Sequence, residues 1–162
     1  MYKVGIITAS DKGSIGQRED LSGLIIKNLV TEYGYVVADY IVLPDDLDII
    51  HSKLVEMSDI QNIDLILTTG GTGFSQRDNT PEATKKAILR EAPGICEAIR
   101  AYSLTITPRA MLSRAISGIR NKTLIVNLPG SPKAVKESLD YALDSINHGL
   151  EILIGDASEC AR

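Results

Sequence analysis

The sequence has no tryptophan, one phenylalanine, two cysteines and two histidines in 162 residues. Each scarcity narrows the possibilities. Aromatic rings are the platforms on which unpaired bases stack, so a binder of single-stranded nucleic acid is not expected. A net charge of −4 and a pI near 5.2 argue against general nucleic-acid binding in the same direction. Cys96, Cys160, His51 and His148 lack the spacing of zinc or iron–sulfur ligands. Cys96 falls in an apolar helical stretch and reads as a core thiol, and Cys160 as a bystander. No Ser-His-Asp or Cys-His arrangement is visible, which disfavours acyl transfer through a protein nucleophile. There is no apolar run of the roughly 20 residues a membrane helix needs, nor a signal-peptide pattern. The expectation is one domain over residues 1–162, reduced and cytoplasmic, with no membrane partner.

What is present centres on one stretch. Ile63–Leu67 reads as a buried strand and runs into Thr68-Thr69-Gly70-Gly71-Thr72-Gly73-Phe74-Ser75-Gln76-Arg77-Asp78-Asn79-Thr80-Pro81. Thr80 reads as the N-cap of the next helix, with Pro81 at its first position. Glycines let backbone N–H groups approach an anion, an arginine can neutralise phosphate, and an aspartate can hold a hard cation. The stretch is not G-x-x-x-x-G-K-[ST], and Gln76 replaces the third glycine of a dinucleotide loop. It is either a tight turn or a cradle for a phosphorylated ligand.

The rest of the chain alternates strand and helix patterns. Tyr2–Thr8 is a first apolar strand, followed by a polar loop over Lys12–Glu19 and a helix capped by Asp20 and stopped at Gly34. Tyr35–Leu43 is a second strand ending at Pro44-Asp45-Asp46. Leu47, Ile50, Leu54 and Met57 mark the face of a second helix. Helices are expected over Pro81–Arg90 and Gly94–Leu104, with Pro108 closing the latter. Ala115–Arg120 and Thr123–Asn127 form an expected antiparallel hairpin across Asn121-Lys122, and Ser131 caps a last helix starting at Pro132. Such alternation predicts an α/β fold, a mostly parallel sheet with helices on both faces.

In such a sheet the carboxyl ends of the parallel strands share one edge, where ligands bind. Ser10-Asp11, Asp45-Asp46, the Thr68–Asp78 loop and Asn127–Ser131 converge there, which weakens the turn-only reading. Asp45 and Asp78 are candidate magnesium carboxylates, whereas Asp46 reads as a helix cap. Arg77, Arg109, Arg114, Arg120 and Lys133 suggest a local anion site. Ser113 and Asn127 can donate to a ligand or cap backbone. Carboxylates, glycine N–H groups and cations together fit phosphoryl or nucleotidyl transfer.

These residues carry a resemblance. Thr68–Gly73, Arg77-Asp78, Thr80–Thr84, Thr107–Arg114 and Leu124–Pro132, with Ser10-Asp11, Ser14, Gly16, Asp20 and Ser22-Gly23, resemble the molybdopterin-binding MogA/MoaB family over about Tyr2–Leu150. The resemblance implies a three-layer α/β/α fold with one antiparallel strand. It implies Mg²⁺-dependent transfer of AMP from ATP to molybdopterin, with pyrophosphate released, in molybdenum cofactor biosynthesis. A non-catalytic molybdopterin carrier or scaffold is the alternative. The implied catalytic and metal carboxylates are Asp45 and Asp78. The implied substrate-binding set is Ser10, Asp11, Gly70, Gly71, Thr72, Gly73, Arg77, Ser113, Asn127, Pro129, Gly130 and Ser131. Lys12 stands where many members carry arginine. A homotrimer is implied, with a hexamer as the larger alternative and a molybdenum insertase as a further partner.

Overall fold

The structure, a computed structural model, describes residues 1–155; the expectation for Cys160 lies outside the described residues. The strands are β1 (Lys3–Ala9), β2 (Val36–Leu43), β3 (Leu65–Thr69), β4 (Arg90–Glu91), β5 (Ser117–Arg120) and β6 (Thr123–Leu128). The helices are α1 (Asp11–Ser14), α2 (Leu21–Glu32), α3 (Leu47–Asp59), α4 (Thr80–Ala87), α5 (Gly94–Leu104) and α6 (Pro132–Ile154). One sheet runs in the order β2-β1-β3-β6-β5-β4. Pairing is parallel from β2 through β6, and β5 alone runs against its neighbours. The expected single antiparallel strand is therefore β5.

Alternation along the central strands divides the core between two faces. Val4, Ile6, Leu65, Leu67, Leu124 and Val126 pack with α2, α5 and α6, through Ile26, Val30, Ile99, Val135 and Leu139. Ile7, Ile66 and Ile125 pack instead with α3 and α4, through Ile50, Leu54, Met57, Ala83 and Ala87. Gly5 lets α3 lie close: a Cβ there would meet Met57 Sδ at 2.8 Å. Cys96 is buried in the first of these clusters, as its apolar setting predicted, and burial pushes its thiol pKa up.

Several caps are where the sequence put them. Asp20, Asp46 and Ser131 accept from the backbone N–H groups of Gly23, Ile49 and Ala134 at 2.9, 3.0 and 3.2 Å. Gly34 follows α2 with φ +97°. Other boundaries differ. The Lys12–Glu19 loop includes the last three residues of the one-turn helix α1, capped by Ser10. Helix α4 begins at Thr80 itself, and its N-cap is Asn79 without a side-chain bond. It ends at Ala87 rather than Arg90 because Leu89 and Ala92 donate to Ile119 and Ser117 carbonyls, pulling this segment into the sheet as β4. Pro108 does not close α5. It opens a short 3₁₀ turn, Pro108–Leu112, capped by Thr107.

Candidate active site

The chain passes from β1 to β2 on one side of the sheet and from β3 onward to β4 on the other, so the strand order reverses between β1 and β3, the usual position of a ligand crevice in an open α/β sheet. A cavity of about 500 Å³ opens at that point. Its lining includes Ser10, Asp20, Ser22, Asp45, Thr69, Gly70, Gly71, Asp78 and Gly130. Four loops thus meet as the alternation requires.

They are tied to one another by charge. Asp11 N–H donates to Asp45 Oδ2 at 2.9 Å, and Asp45 N–H returns the bond to Asp11 Oδ1 at 3.0 Å. Arg77 closes over the pair, donating from Nε and Nη2 to the two Asp11 oxygens at 2.7 and 2.8 Å. This bidentate bond holds the Asp11 carboxyl below its ordinary pKa. Asp45 behaves oppositely. Partial burial raises its pKa, and the nearby charges of Asp11 and Asp78 add to that. A carboxylate shifted in this way inside a cleft is a candidate functional group. Asp78 Oδ2 accepts from Ser75 N–H at 2.9 Å, folding the loop back on itself.

The glycine loop needs its glycines. Gly70 and Gly71 sit at φ +86° and +66°. A Cβ on Gly70 would lie 2.4 Å from the Ala9 carbonyl oxygen, and one on Gly71 would lie 2.4 Å from Thr80 Oγ1. The turn is therefore tight, and it also lines the cavity: the two readings are not exclusive. Thr72 is buried, and its carbonyl accepts from Arg114 N–H.

The arginines divide by role. Arg114 donates to the carbonyls of Gly73 and Asp78, each at 2.7 Å, and pairs with Glu82, so it builds the loop's shape. Arg120 is not at the site. It sits at the β5–β6 hairpin, the opposite edge of the sheet, and pairs with Asp59 at 2.6 Å. The reversed direction of β5 carried it there. Lys133 is highly exposed and pairs with Glu137 one turn along α6. Lys12 is exposed on α1.

Arg109, Ser113, Asn127 and Pro129 line a second, smaller cavity of about 210 Å³, together with Arg100, Ser103, Thr107 and Glu137. Sequence reasoning placed all these candidates in one site; the fold gives them two chambers on either side of Pro129-Gly130. That segment is anchored by Thr69 Oγ1, which donates to the Pro129 carbonyl at 2.6 Å, and by Ser22 Oγ, which donates to that of Gly130 at 2.8 Å. The Asn127 amide is wholly engaged inside. Its Oδ1 accepts from Ile116 N–H, and its Nδ2 donates to the Thr68 and Thr84 hydroxyls. Ser131 caps α6.

Sequence reasoning also missed a half-buried hub beside the main cavity, whose Thr8 and Asp20 line it. Asp20 accepts from Thr8 Oγ1 at 2.7 Å and Tyr40 OH at 2.5 Å while capping α2. Burial and this carboxylate raise the Tyr40 pKa. The signal available was a carboxylate, a hydroxyl and a phenol at inward positions of adjacent elements.

Residues 5–148 match the sequence profile of a family described as a probable molybdopterin binding domain. The chain belongs to this family. A molybdopterin-binding-domain fold is equally evident in three dimensions. The crystal structure of the molybdopterin biosynthesis enzyme MoaB from Thermus thermophilus superposes with a TM-score of 0.90 at 45% identity, covering 96% of this chain and 98% of that one. Among curated members of the family, a molybdopterin adenylyltransferase of Helicobacter pylori J99 is 43% identical over 155 residues, 94% of this chain and 88% of that protein. The molybdopterin adenylyltransferase of Escherichia coli K12 is 38% identical, over 91% and 79%.

Magnesium fits the donor set of this domain. Among the described residues no cluster of three or more metal-ligating side chains occurs. Mg²⁺ commonly takes one or two carboxylates and completes its shell with water and substrate phosphates. Asp45 and Asp78 beside the glycine turn match that demand, since Asp45 Oδ1 accepts no hydrogen bond from the described residues. No helix among the described residues is long and apolar enough to cross a membrane.

Proposed function

We propose that this chain is a molybdopterin adenylyltransferase, joining molybdopterin phosphate to the AMP part of ATP. The observation that carries the reading beyond family membership is the pair of chambers lined by the consecutive residues Gly130 and Pro129, the first with the carboxylates and glycine turn, the second with Ser113 and the arginines. Two substrates that must react at a common phosphorus need two adjoining pockets, and holding them together supplies much of the rate.

In this reading the larger chamber takes the triphosphate. Gly70, Gly71 and Gly73 let the backbone approach its oxygens, and Arg77 offsets charge from the rim. Asp45 and Asp78 would hold Mg²⁺, which when bound neutralises phosphate charge and orients the leaving group. The smaller chamber takes the pterin, with Ser113 and its backbone neighbours as hydrogen-bonding groups and Arg109 toward the phosphate. A molybdopterin phosphate oxygen bonds to the α-phosphorus as the bond from that phosphorus to the pyrophosphate oxygen breaks. No protein nucleophile is required. The active unit we infer is a homotrimer in the cytoplasm.

The two chambers are separable by mutation. Ser113→Ala is expected to weaken molybdopterin binding about two- to tenfold, the scale of one neutral hydrogen bond, with MgATP binding unchanged. Asp78→Ala is expected to do the reverse and to abolish turnover. Equilibrium titration of each variant with each ligand checks this. Both variants weakening the same ligand would contradict the assignment.

A further inference from the structure

Among the described residues, Thr80 Oγ1 is the one buried side-chain oxygen or nitrogen that makes no hydrogen bond. Thr80 is fully buried. It is also the first residue of α4, an eight-residue helix that leaves the glycine loop, where backbone N–H groups and the helix dipole favour an anion. A buried hydroxyl without a partner opposes folding, so its retention at this position calls for an explanation.

Its surroundings offer one. The Cβ position of Gly71 lies 2.4 Å from Thr80 Oγ1 and 3.3 Å from Asp45 Oδ1. The hydroxyl and that carboxylate oxygen therefore both border the small space that a side chain on residue 71 would fill. Asp45 Oδ2 is already bonded to Asp11 N–H, whereas Oδ1 accepts no bond from the described residues. Among the described residues, then, a donor without an acceptor and an acceptor without a donor border the same space, which is open because residue 71 is glycine. That glycine is at φ +66°, and its carbonyl is held by Thr80 N–H at 3.2 Å. Its neighbour Gly70 is also left-handed. Two adjacent glycines can reorient their peptides at little steric cost.

We propose that Thr80 is a positioning residue: its hydroxyl donates to Asp45 Oδ1 when the Gly70-Gly71 turn shifts to receive a phosphate group. The bond fixes the carboxylate toward the incoming nucleoside triphosphate. Its formation removes the penalty of the unpartnered hydroxyl, so part of the binding energy comes from within the protein. This inference rests on the proposed placement of the triphosphate in the larger chamber, but not on the transfer step.

Thr80→Val keeps the branched shape and removes only the hydroxyl; Thr80→Ser keeps the hydroxyl. The measurements are thermal midpoints of the intact chain alone and with MgATP, with calorimetric titration of MgATP. For Thr80→Val the expected result is a ligand-free midpoint equal to or above wild type, and MgATP binding weakened about tenfold or more, the scale of one hydrogen bond to a charged group. Thr80→Ser is expected to bind as wild type does. A lowered ligand-free midpoint in Thr80→Val would mean that the hydroxyl already has a structural task, and would overturn the proposal. Unchanged MgATP binding in that variant, or no MgATP binding by wild type, would overturn it equally. Weakened binding in Thr80→Val supports it even if wild type releases no pyrophosphate with molybdopterin, a result that would remove the transferase reading alone.

Discussion

Asp45→Asn is expected to lose turnover by about 10²–10³-fold, the scale set by removing one preorganised electrostatic group from an active site. The same variant is expected to be at least as stable as wild type at neutral pH. Burial raises the Asp45 carboxyl above its unfolded value. A raised carboxyl favours folding most where it is protonated in the native state, and that contribution is lost as pH rises through the folded pKa. At neutral pH the ionised carboxylate therefore opposes folding, and the neutral amide does not. Asparagine can still accept from Asp11 N–H. Thermal midpoints of both proteins should differ most near neutrality and converge as pH falls from the folded pKa to below the unfolded one. Pyrophosphate assays on the same samples give the activity. A variant both destabilised and partly active would mean that Asp45 is a structural residue.

Gly70→Ala is expected to have the largest effect on stability. Two costs add. The left-handed backbone at φ +86° penalises any Cβ, by about 1–2 kcal/mol. The Cβ would also sit 2.4 Å from the Ala9 carbonyl oxygen, which belongs to a central strand and cannot move aside. Overpacking of this kind costs about 1–3 kcal/mol. A total of roughly 2–5 kcal/mol lowers the melting midpoint by roughly 4–20 °C in a chain of this size. Gly149→Ala is the control. It lies inside α6 with open space around its Cβ position, so alanine there is expected to stabilise by about 0.5–1 kcal/mol. Equal midpoints for the two variants would contradict the geometry of the glycine turn.

Much of this was legible because it depends on local chemistry. Asp20, Asp46 and Ser131 cap helices through bonds to residues three positions on, and the strand alternation of Val4, Ile6 and Ile7 assigns faces without knowledge of the partner. Convergence of Ser10, Asp45, Gly70 and Asp78 on one cavity follows from parallel strands alone. What escaped depends on long-range geometry. Arg120 looked like an anion ligand by type, but β5 runs backwards and carries it to the far edge, onto Asp59. Arg114 looked the same and instead shapes the loop through two carbonyls. Ser113 and Asp45 could not be assigned to separate chambers, because the wall between them is a backbone segment anchored by hydroxyls of β3 and α2. Thr80 read as an N-cap, yet it is the first helical residue, and its buried hydroxyl has no partner among the described residues.

If this protein transfers AMP from ATP to molybdopterin, the purified chain releases pyrophosphate from MgATP in step with that transfer. Release is expected when molybdopterin is present and none when it is absent. Molybdopterin and MgATP both binding, with no pyrophosphate released from the mixture, would contradict it and leave a carrier or scaffold built on the same domain.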